Sequence, residues 1–258
     1  MTVDMTFDRR QSGHLVARLT MAAPRSNALT PDLLQALSGA LDQAEDSGAE
    51  AVLICGGRAF STGGDVAAFH QAAVRGEGRA YAQSLVPVLQ DFVYRLVSLP
   101  CLVGVAARGA VTGGAAGLLF AADIAAVSPN CFVQPYYGAV GFAPDGGWTA
   151  LLPERIGAGA AAHWLMQDRR LTGPDLVAFR LADTCSSAPE DTVTQQCDQG
   201  RIEARLASKA LIWDAPRKAA LRARLDRETD AFLDRIDKPE TLEGMAAFLA
   251  RLKEPAHV

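Results

Sequence analysis

Two glycine-rich segments, residues 59–66 (AFSTGGDV) and residues 108–124 (RGAVTGGAAGLLFAADI), constrain this 258-residue chain more than any other feature. Each follows a short β-type apolar run and opens a helix-like one. A strand that passes into a helix through glycine leaves the first backbone N–H groups of the helix unpartnered, and partial positive charge collects there. Two such turns facing each other make an oxyanion hole, which stabilises negative charge developing on a carbonyl or thioester oxygen.

The flanking sequence reads as alternating strands and helices. Residues 14–20 form a strand and residues 23–29 a loop. Thr30 is an N-cap with Pro31 at the first helical position, and Leu33, Leu34, Leu37 and Leu41 share one face of a helix that runs to Gly48. AVLIC (51–55) is a short apolar run suited to a strand buried on both faces. The pattern recurs with a helix over 84–99, a stop at Pro100, a strand over 101–107, the second glycine turn with a helix to about Ala121, and a strand over 123–128. This alternation predicts an α/β layer architecture. Beyond Gly157 the chain is mainly helical, and from Arg201 it is charged and amphipathic, with Leu221, Leu225, Phe232, Leu233, Met245, Phe248, Leu249 and Leu252 offering apolar faces.

Composition narrows the function classes. About half of the residues are hydrophobic and 21% are charged, an ordinary globular mix. A net charge of -4, a pI near 5.6 and the lack of a basic cluster interleaved with aromatics argue against nucleic acid. The five cysteines, Cys55, Cys101, Cys131, Cys185 and Cys197, are widely spaced without a zinc pattern, so no metal is expected and most of them should be buried thiols of a reducing compartment. The N-terminal residues have no apolar signal-peptide core, and the Gly/Ala-rich run 109–127 is interrupted by Asp123. The expectation is a cytoplasmic enzyme with no membrane partner. No GxxxxGK[ST] or GxSxG occurs, and His14, His70, His163 and His257 lie in unrelated settings. GAGAAA (157–162) matches a dinucleotide-loop pattern only formally, because the PERI before it is a poor strand.

Five segments in order resemble the crotonase superfamily of enoyl-CoA hydratases and isomerases: PRSNALT (24–30), AFSTGGDV, RGAVTGG, FVQPYYGAVGFAPDGGWTALLPERIG (132–157) and EGMAAFLARLKEP (243–255). The resemblance implies a spiral of ββα units over residues 1–200 and a helical trimerisation region over 201–258, assembled as a trimer or a dimer of trimers. It implies an acyl-CoA thioester substrate that carries its own coenzyme A, with no further cofactor. The oxyanion-hole N–H groups would belong to Thr62 and Gly114, each contributing about 3 kcal/mol of transition-state stabilisation. Substrate contacts would come from Arg25, Ala28, Ser61, Gly63, Gly64, Asp65, Val66, Phe69 and Gly113, and from Tyr136, Tyr137, Phe142, Trp148 and Phe248 around the acyl group. Arg25, Arg251 and Lys253 would meet the phosphates or adenosine of coenzyme A, the last two across a subunit boundary.

The hydratases of that superfamily use two glutamates, one to activate water and one to deliver a proton. Here the first position holds Gly117, and the second falls on Tyr136 or Tyr137 according to the direction of counting. The remaining carboxylate is Asp145, in APDGG (143–147). It resembles the single acid/base of dienoyl-CoA and phenylacetate-pathway isomerases, which suits isomerisation without water. Four alternatives stay open: a nucleophilic Asp145, as in the aryl-CoA dehalogenases; an enoyl-CoA hydratase that lacks the usual glutamates; a silent acyl-CoA-binding homologue; or an Asp145 that only shapes its Pro-Asp-Gly-Gly turn. Asp65 and His70 have simpler readings, as a helix-start residue and a solvated helix histidine. RLADTC (180–185) stands where relatives place a glycine-containing turn.

Overall fold

The computed structural model describes residues 2–253. Its main sheet has six strands in the order β1 (Val3–Arg9), β2 (Leu15–Met21), β3 (Ala51–Gly56), β4 (Leu102–Ala107), β6 (Ile124–Val127) and β9 (Thr184–Cys185). A second sheet orders β5 (Ala110–Thr112), β7 (Phe132–Gln134) and β8 (Leu171–Thr172). From β2 to β9 the main sheet is parallel, with Val16 opposite Ala51 and Ala51 opposite Leu102, and only β1 pairs antiparallel. Bridges from Leu29 to Gly64 and from Ser61 to Val111 carry the first glycine turn toward the second sheet.

The apolar run in β3 is buried on both faces. Val52 and Ile54 enter the main core, while Ala51, Leu53 and Cys55 enter a smaller one with Val193, Cys197 and Ile202. The main core is closed by the helices Pro31–Asp46 and Gly78–Ser98, the second by the helix Pro189–Cys197. Thr30 caps the first helix by accepting from the Leu33 N–H at 3.3 Å, with Pro31 behind it, and all four leucines of the expected face are buried.

Several boundaries differ from the sequence expectation. The helix expected over 84–99 begins six residues earlier, at Gly78, and runs through Pro87. Strand β1 has no counterpart in the expectation because it is an edge strand with Val3 as its only buried residue. The 23–29 loop contains a left-handed turn, and the helix after the second glycine turn is a 3₁₀ turn (Gly113–Ala115) followed by Ala116–Phe120. GAGAAA follows a helix, Leu152–Ile156, instead of a strand, so it cannot form a dinucleotide loop. In RLADTC, Arg180 takes the left-handed conformation (φ 58°) that a glycine would take easily.

Beyond residue 201 come the helices Ile202–Ile212, Ala215–Arg235 and Pro239–Lys253. The first is anchored by buried Lys209, whose Nζ donates to the carbonyls of Leu96 (3.3 Å) and Cys101 (2.9 Å) and to Asp123 Oδ2 (2.7 Å). Asp123 Oδ2 also accepts from the Val103 N–H at 2.8 Å, so one carboxylate joins β4, β6 and this helix. Lys209→Met would strand that carboxylate beneath the sheet. We expect a loss of about 3 kcal/mol in the free energy of unfolding, measured by urea titration, and a pair that contributed nothing would leave the midpoint unchanged.

Candidate active site

The candidate site is built from the two glycine turns, and an unusual piece of backbone holds the first of them. Arg25, Ser26 and Asn27 follow one another at φ 53°, 56° and 58°, a conformation that costs non-glycine residues roughly 1–2 kcal/mol each. Such strain persists only where the surroundings over-determine it. Here the buried Asn27 amide donates to the carbonyls of Phe60 (3.0 Å) and Ala59 (3.2 Å), and its Oδ1 accepts from the Ala23 N–H (2.8 Å). Ser61 Oγ donates to the Asn27 carbonyl (2.6 Å), Thr62 Oγ1 to the Arg25 carbonyl (2.9 Å), and the Leu29 N–H to the Gly63 carbonyl (2.8 Å). The left-handed turn is thus a clamp on residues 59–63.

That clamp decides which N–H groups are available. The Thr62 N–H donates to the Ser26 carbonyl (3.2 Å) and the Gly63 N–H to Ser61 Oγ (3.2 Å). Thr62 is therefore not the oxyanion donor that the resemblance implied. Its N–H is committed, and the next free one belongs to Gly64, which has no hydrogen-bond acceptor among the described residues and lines the cavity. On the opposite turn Gly114 is the second residue of the 3₁₀ turn, before the first N–H that can bond within it, and it lines the same cavity. The two turns touch. Gly63 is left-handed (φ 73°), and a Cβ on it would overlap the Thr112 carbonyl oxygen and lie 3.6 Å from Gly113 Cα.

The cavity, of about 440 Å³, is mainly apolar. Arg25, Ala28, Gly64, Asp65, Val66, Phe69, Gly113, Tyr136, Tyr137, Phe142 and Phe248 line it as expected, and Thr62 does so with its side-chain end. Leu85, Leu89, Val140 and Phe232 join them without having been singled out in the sequence. Its deep wall is an aromatic cluster in which Phe69 packs edge-on against Tyr81 (4.9 Å) and Phe142 (5.3 Å), with Phe232 4.8 Å from Phe142. Ser61 and Gly63 stand behind the wall as parts of the clamp. Trp148 does too: it is fully buried between Phe120, Tyr137 and Trp164, and its Nε1 donates to the Gly113 carbonyl at 2.8 Å.

Asp65 caps the helix Val66–Val74 by accepting from the Ala68 N–H (3.1 Å) and pairs with Arg25 at the mouth. Phe248, Leu249 and Leu252 line the cavity of their own chain, because the helix Pro239–Lys253 doubles back over the Val66–Val74 and Tyr137–Val140 helices. Arg235 Nε and Thr241 Oγ1, each 3.0 Å from the Gly141 carbonyl, tie that reversal down. The helix that carries Arg251 and Lys253 packs over the cavity of its own chain. Arg251 is exposed near Tyr136 and Asp168, and the Lys253 side chain and His257 lie outside the described residues.

Asp145 is the cavity carboxylate with no cation beside it. The Tyr137 hydroxyl donates to its Oδ1 at 2.6 Å, and a Cβ on Gly114 would lie 2.7 Å from that same oxygen. Burial pushes its carboxyl up to about 7; the Tyr137 hydrogen bond opposes the shift and the negative charge of Glu228 adds to it. Burial likewise holds the Tyr137 phenol well above its usual range, so Tyr137 remains a donor at neutral pH. Gly117, where the hydratases carry their first glutamate, has no room for a side chain, since a Cβ there would overlap the Gly146 carbonyl oxygen. Tyr137, a candidate for the second position, is the hydroxyl on Asp145. Four of the five thiols are poor nucleophiles: Cys55, Cys101, Cys131 and Cys197 are buried, and burial raises Cys101 to about 11 and Cys131 and Cys197 to about 12; none of the five lines the cavity. Among the described residues no cluster suits a metal, and no helix is long and apolar enough to cross a membrane.

The model of one protein family, enoyl-CoA hydratase/isomerase, matches residues 11–256. The chain belongs to that family, within the crotonase superfamily. It is 26% identical over 245 residues to a probable enoyl-CoA hydratase of Bacillus subtilis, covering 92% of this chain and 93% of that one. It is 28% identical over 214 residues to a trans-2-decenoyl-[acyl-carrier-protein] isomerase of Streptococcus mutans, covering 78% and 79%. The crystal structure of an enoyl-CoA hydratase from Bacillus halodurans superposes with a TM-score of 0.83 at 17% identity, covering 94% of this chain and 99% of that one, and so shares the fold.

The raised carboxyl of this crotonase-fold chain has a consequence for stability. A carboxyl held at about 7 in the folded state and at its ordinary 3.8 in the unfolded chain costs nothing below 3.8, and it destabilises the fold progressively as pH rises toward 7. Asp145→Asn, which keeps an acceptor for Tyr137, should therefore stabilise the protein by a few kcal/mol at pH 8 and much less at pH 4.5. Denaturation of both proteins at the two pH values measures this; a pH-independent difference would contradict the buried, raised carboxyl.

Proposed function

We propose that the protein is an enoyl-CoA isomerase that forms a thioester enolate and moves one proton with one carboxylate. The observation that carries this reading is the placement of Asp145, buried and without a cation beside it among the described residues, next to Gly114 at the wall of an apolar cavity. Membership of the enoyl-CoA hydratase/isomerase family supports an acyl-CoA thioester as the substrate, and the presence of isomerases among its relatives supports the reaction type.

In this mechanism the thioester oxygen accepts from the Gly64 and Gly114 N–H groups. Asp145, as the carboxylate, removes a proton from a carbon in conjugation with the thioester. The electron pair of that C–H bond delocalises onto the oxygen, and the dienolate collapses as Asp145 returns the proton to a different carbon, so the double bond shifts and the enzyme is restored. A carboxyl near 7 suits both halves, being partly ionised at neutral pH and strong enough as a base to compete for a carbon-bound proton. The Tyr137 hydroxyl fixes Oδ1, and the apolar walls keep water from the dienolate. Hydration would need a second acid/base beside the first, and at position 117 the Gly146 backbone takes that space.

Deuterium incorporation from heavy water into saturated, 2-enoyl, 3-enoyl and phenylacetyl thioesters of coenzyme A tests the reading. Exchange or double-bond migration that falls at least ~100-fold in Asp145→Asn, with coenzyme A ester binding retained, is the expected result. Equal exchange in both proteins would remove Asp145 from the chemistry, and an ester trapped on Asp145 would make it a nucleophile.

A further inference from the structure

We propose that Glu228, on the C-terminal helix Ala215–Arg235, is the positioning residue of this site: it holds the turn that carries Asp145 and places a negative charge behind it. The inference rests on the reading of Asp145 as a base. Along the helix, Leu221, Leu225 and Phe232 form a buried stripe, and Glu228 occupies the fourth position of that stripe, where an apolar residue belongs. A carboxylate taken from water into such a place is costly unless donors surround it.

Donors do surround it. Oε2 accepts from the Gly147 N–H (2.8 Å) and from Gln90 Nε2 (2.9 Å). Oε1 accepts from the Thr149 N–H (2.6 Å), Thr149 Oγ1 (2.7 Å) and the Ala150 N–H (3.0 Å). Five donors facing two oxygens are the complement of a carboxylate. No ion pair within 4.0 Å neutralises Glu228 among the described residues; Arg224 and Arg227 share a small outer cavity with it, and Arg224 pairs with Glu154 at 3.1 Å.

Three of the five donors are backbone groups of the turn that follows Asp145. From the other side Trp148 Nε1 holds the same turn to the Gly113 carbonyl, and the Gly146 backbone abuts Gly114. The turn is thus fixed between Glu228 and the oxyanion-hole turn, and the position of the Asp145 carboxylate follows. The charge acts in the same direction as burial. Of the elements packed around Asp145, the Tyr137–Val140 helix contributes the Tyr137 hydroxyl and the Ala215–Arg235 helix contributes Glu228. The Gly78–Ser98 helix contributes only neutral Leu89 and Gln90, and the Gly113–Ala115 turn has no titratable group. Glu228 is therefore the charge that opposes ionisation of Asp145, and it makes Asp145 a stronger base.

Glu228→Gln and Glu228→Asp test this. The buried Gln90 Oε1, which has no partner among the described residues, can accept from the new amide if Gln90 turns over, so the glutamine variant removes the charge and gives up the acceptor of the Gly147 N–H while Oε1 keeps its three donors. In Glu228→Gln the Asp145 carboxyl, followed by ¹³C NMR and assigned with Asp145→Asn, should titrate at lower pH than in the wild type. The rate of deuterium exchange at saturation should fall about tenfold at unchanged KM. Glu228→Asp keeps the charge but withdraws it by one methylene, so it should lower kcat while leaving the titration close to wild type. Wild-type titration and wild-type kcat in Glu228→Gln would overturn the proposal, as would wild-type kcat in Glu228→Asp should the glutamine variant not fold. The titration needs no turnover. If no thioester exchanges in the wild type, the isomerase reading fails while the NMR result still decides the role of Glu228.

Discussion

The site depends on one close approach of backbone to backbone. The turn at Gly146 lies directly on the Gly114–Gly117 segment, with no side chain between them: a Cβ on Gly146 would overlap the Gly114 carbonyl oxygen, and a Cβ on Gly117 would overlap the Gly146 carbonyl oxygen. This contact brings Asp145 beside Gly114 of the second glycine turn. It also abolishes the space in which a glutamate would stand at position 117. The placement of Asp145 and the absence of a carboxylate at position 117 thus follow from one packing contact.

Two opposite electrostatic demands meet there. In the proposed reaction the ends of two glycine turns offer free N–H groups to an oxygen that becomes negative, whereas a base must hold a proton weakly enough to release it and strongly enough to take it. Both interactions are stronger away from water, and Phe69, Phe142 and Phe232 give the cavity an apolar wall. The cost falls on the fold, which buries Asp145 with only the Tyr137 hydroxyl as a partner and keeps three consecutive residues left-handed beneath the first turn. Such strain is tolerable because Asn27, Ser61 and Thr62 convert it into a network of short-range hydrogen bonds.

Much of the fold was legible along the chain. The Thr30-Pro31 start, the leucine face of the first helix, the doubly buried AVLIC strand and the two glycine turns all report local preferences, and local preferences are carried by neighbouring residues. Strand β1 was not legible, because an edge strand with one buried residue has no pattern to show. Within the site, Asp145, Gly114, Tyr137 and the aromatic lining were readable from motif and resemblance. The choice of Gly64 over Thr62 was not, since it turns on a hydrogen bond from the Thr62 N–H to the Ser26 carbonyl in a loop distant in sequence. Trp148 and Ser61 were read as substrate contacts because a linear motif does not distinguish the cavity side of a wall from its back. Glu228 did leave a trace, a charged residue in an apolar helical stripe, which points to burial but not to a partner.

By itself the sequence determined where strands and helices alternate, which two turns can expose N–H groups, and that positions 117, 136 and 137 carry no carboxylate while Asp145 does. Those properties follow from spacing, backbone permissiveness and side-chain chemistry, all of which act over a few residues. The tertiary structure decided which N–H groups are free, which side chains face the cavity, that the last helix covers its own site, and what stands behind Asp145. These depend on contacts between residues tens of positions apart, such as Asn27 with Phe60 and Glu228 with Thr149. Hydrogen-bond commitment and burial are properties of the packed chain, and no single segment contains them.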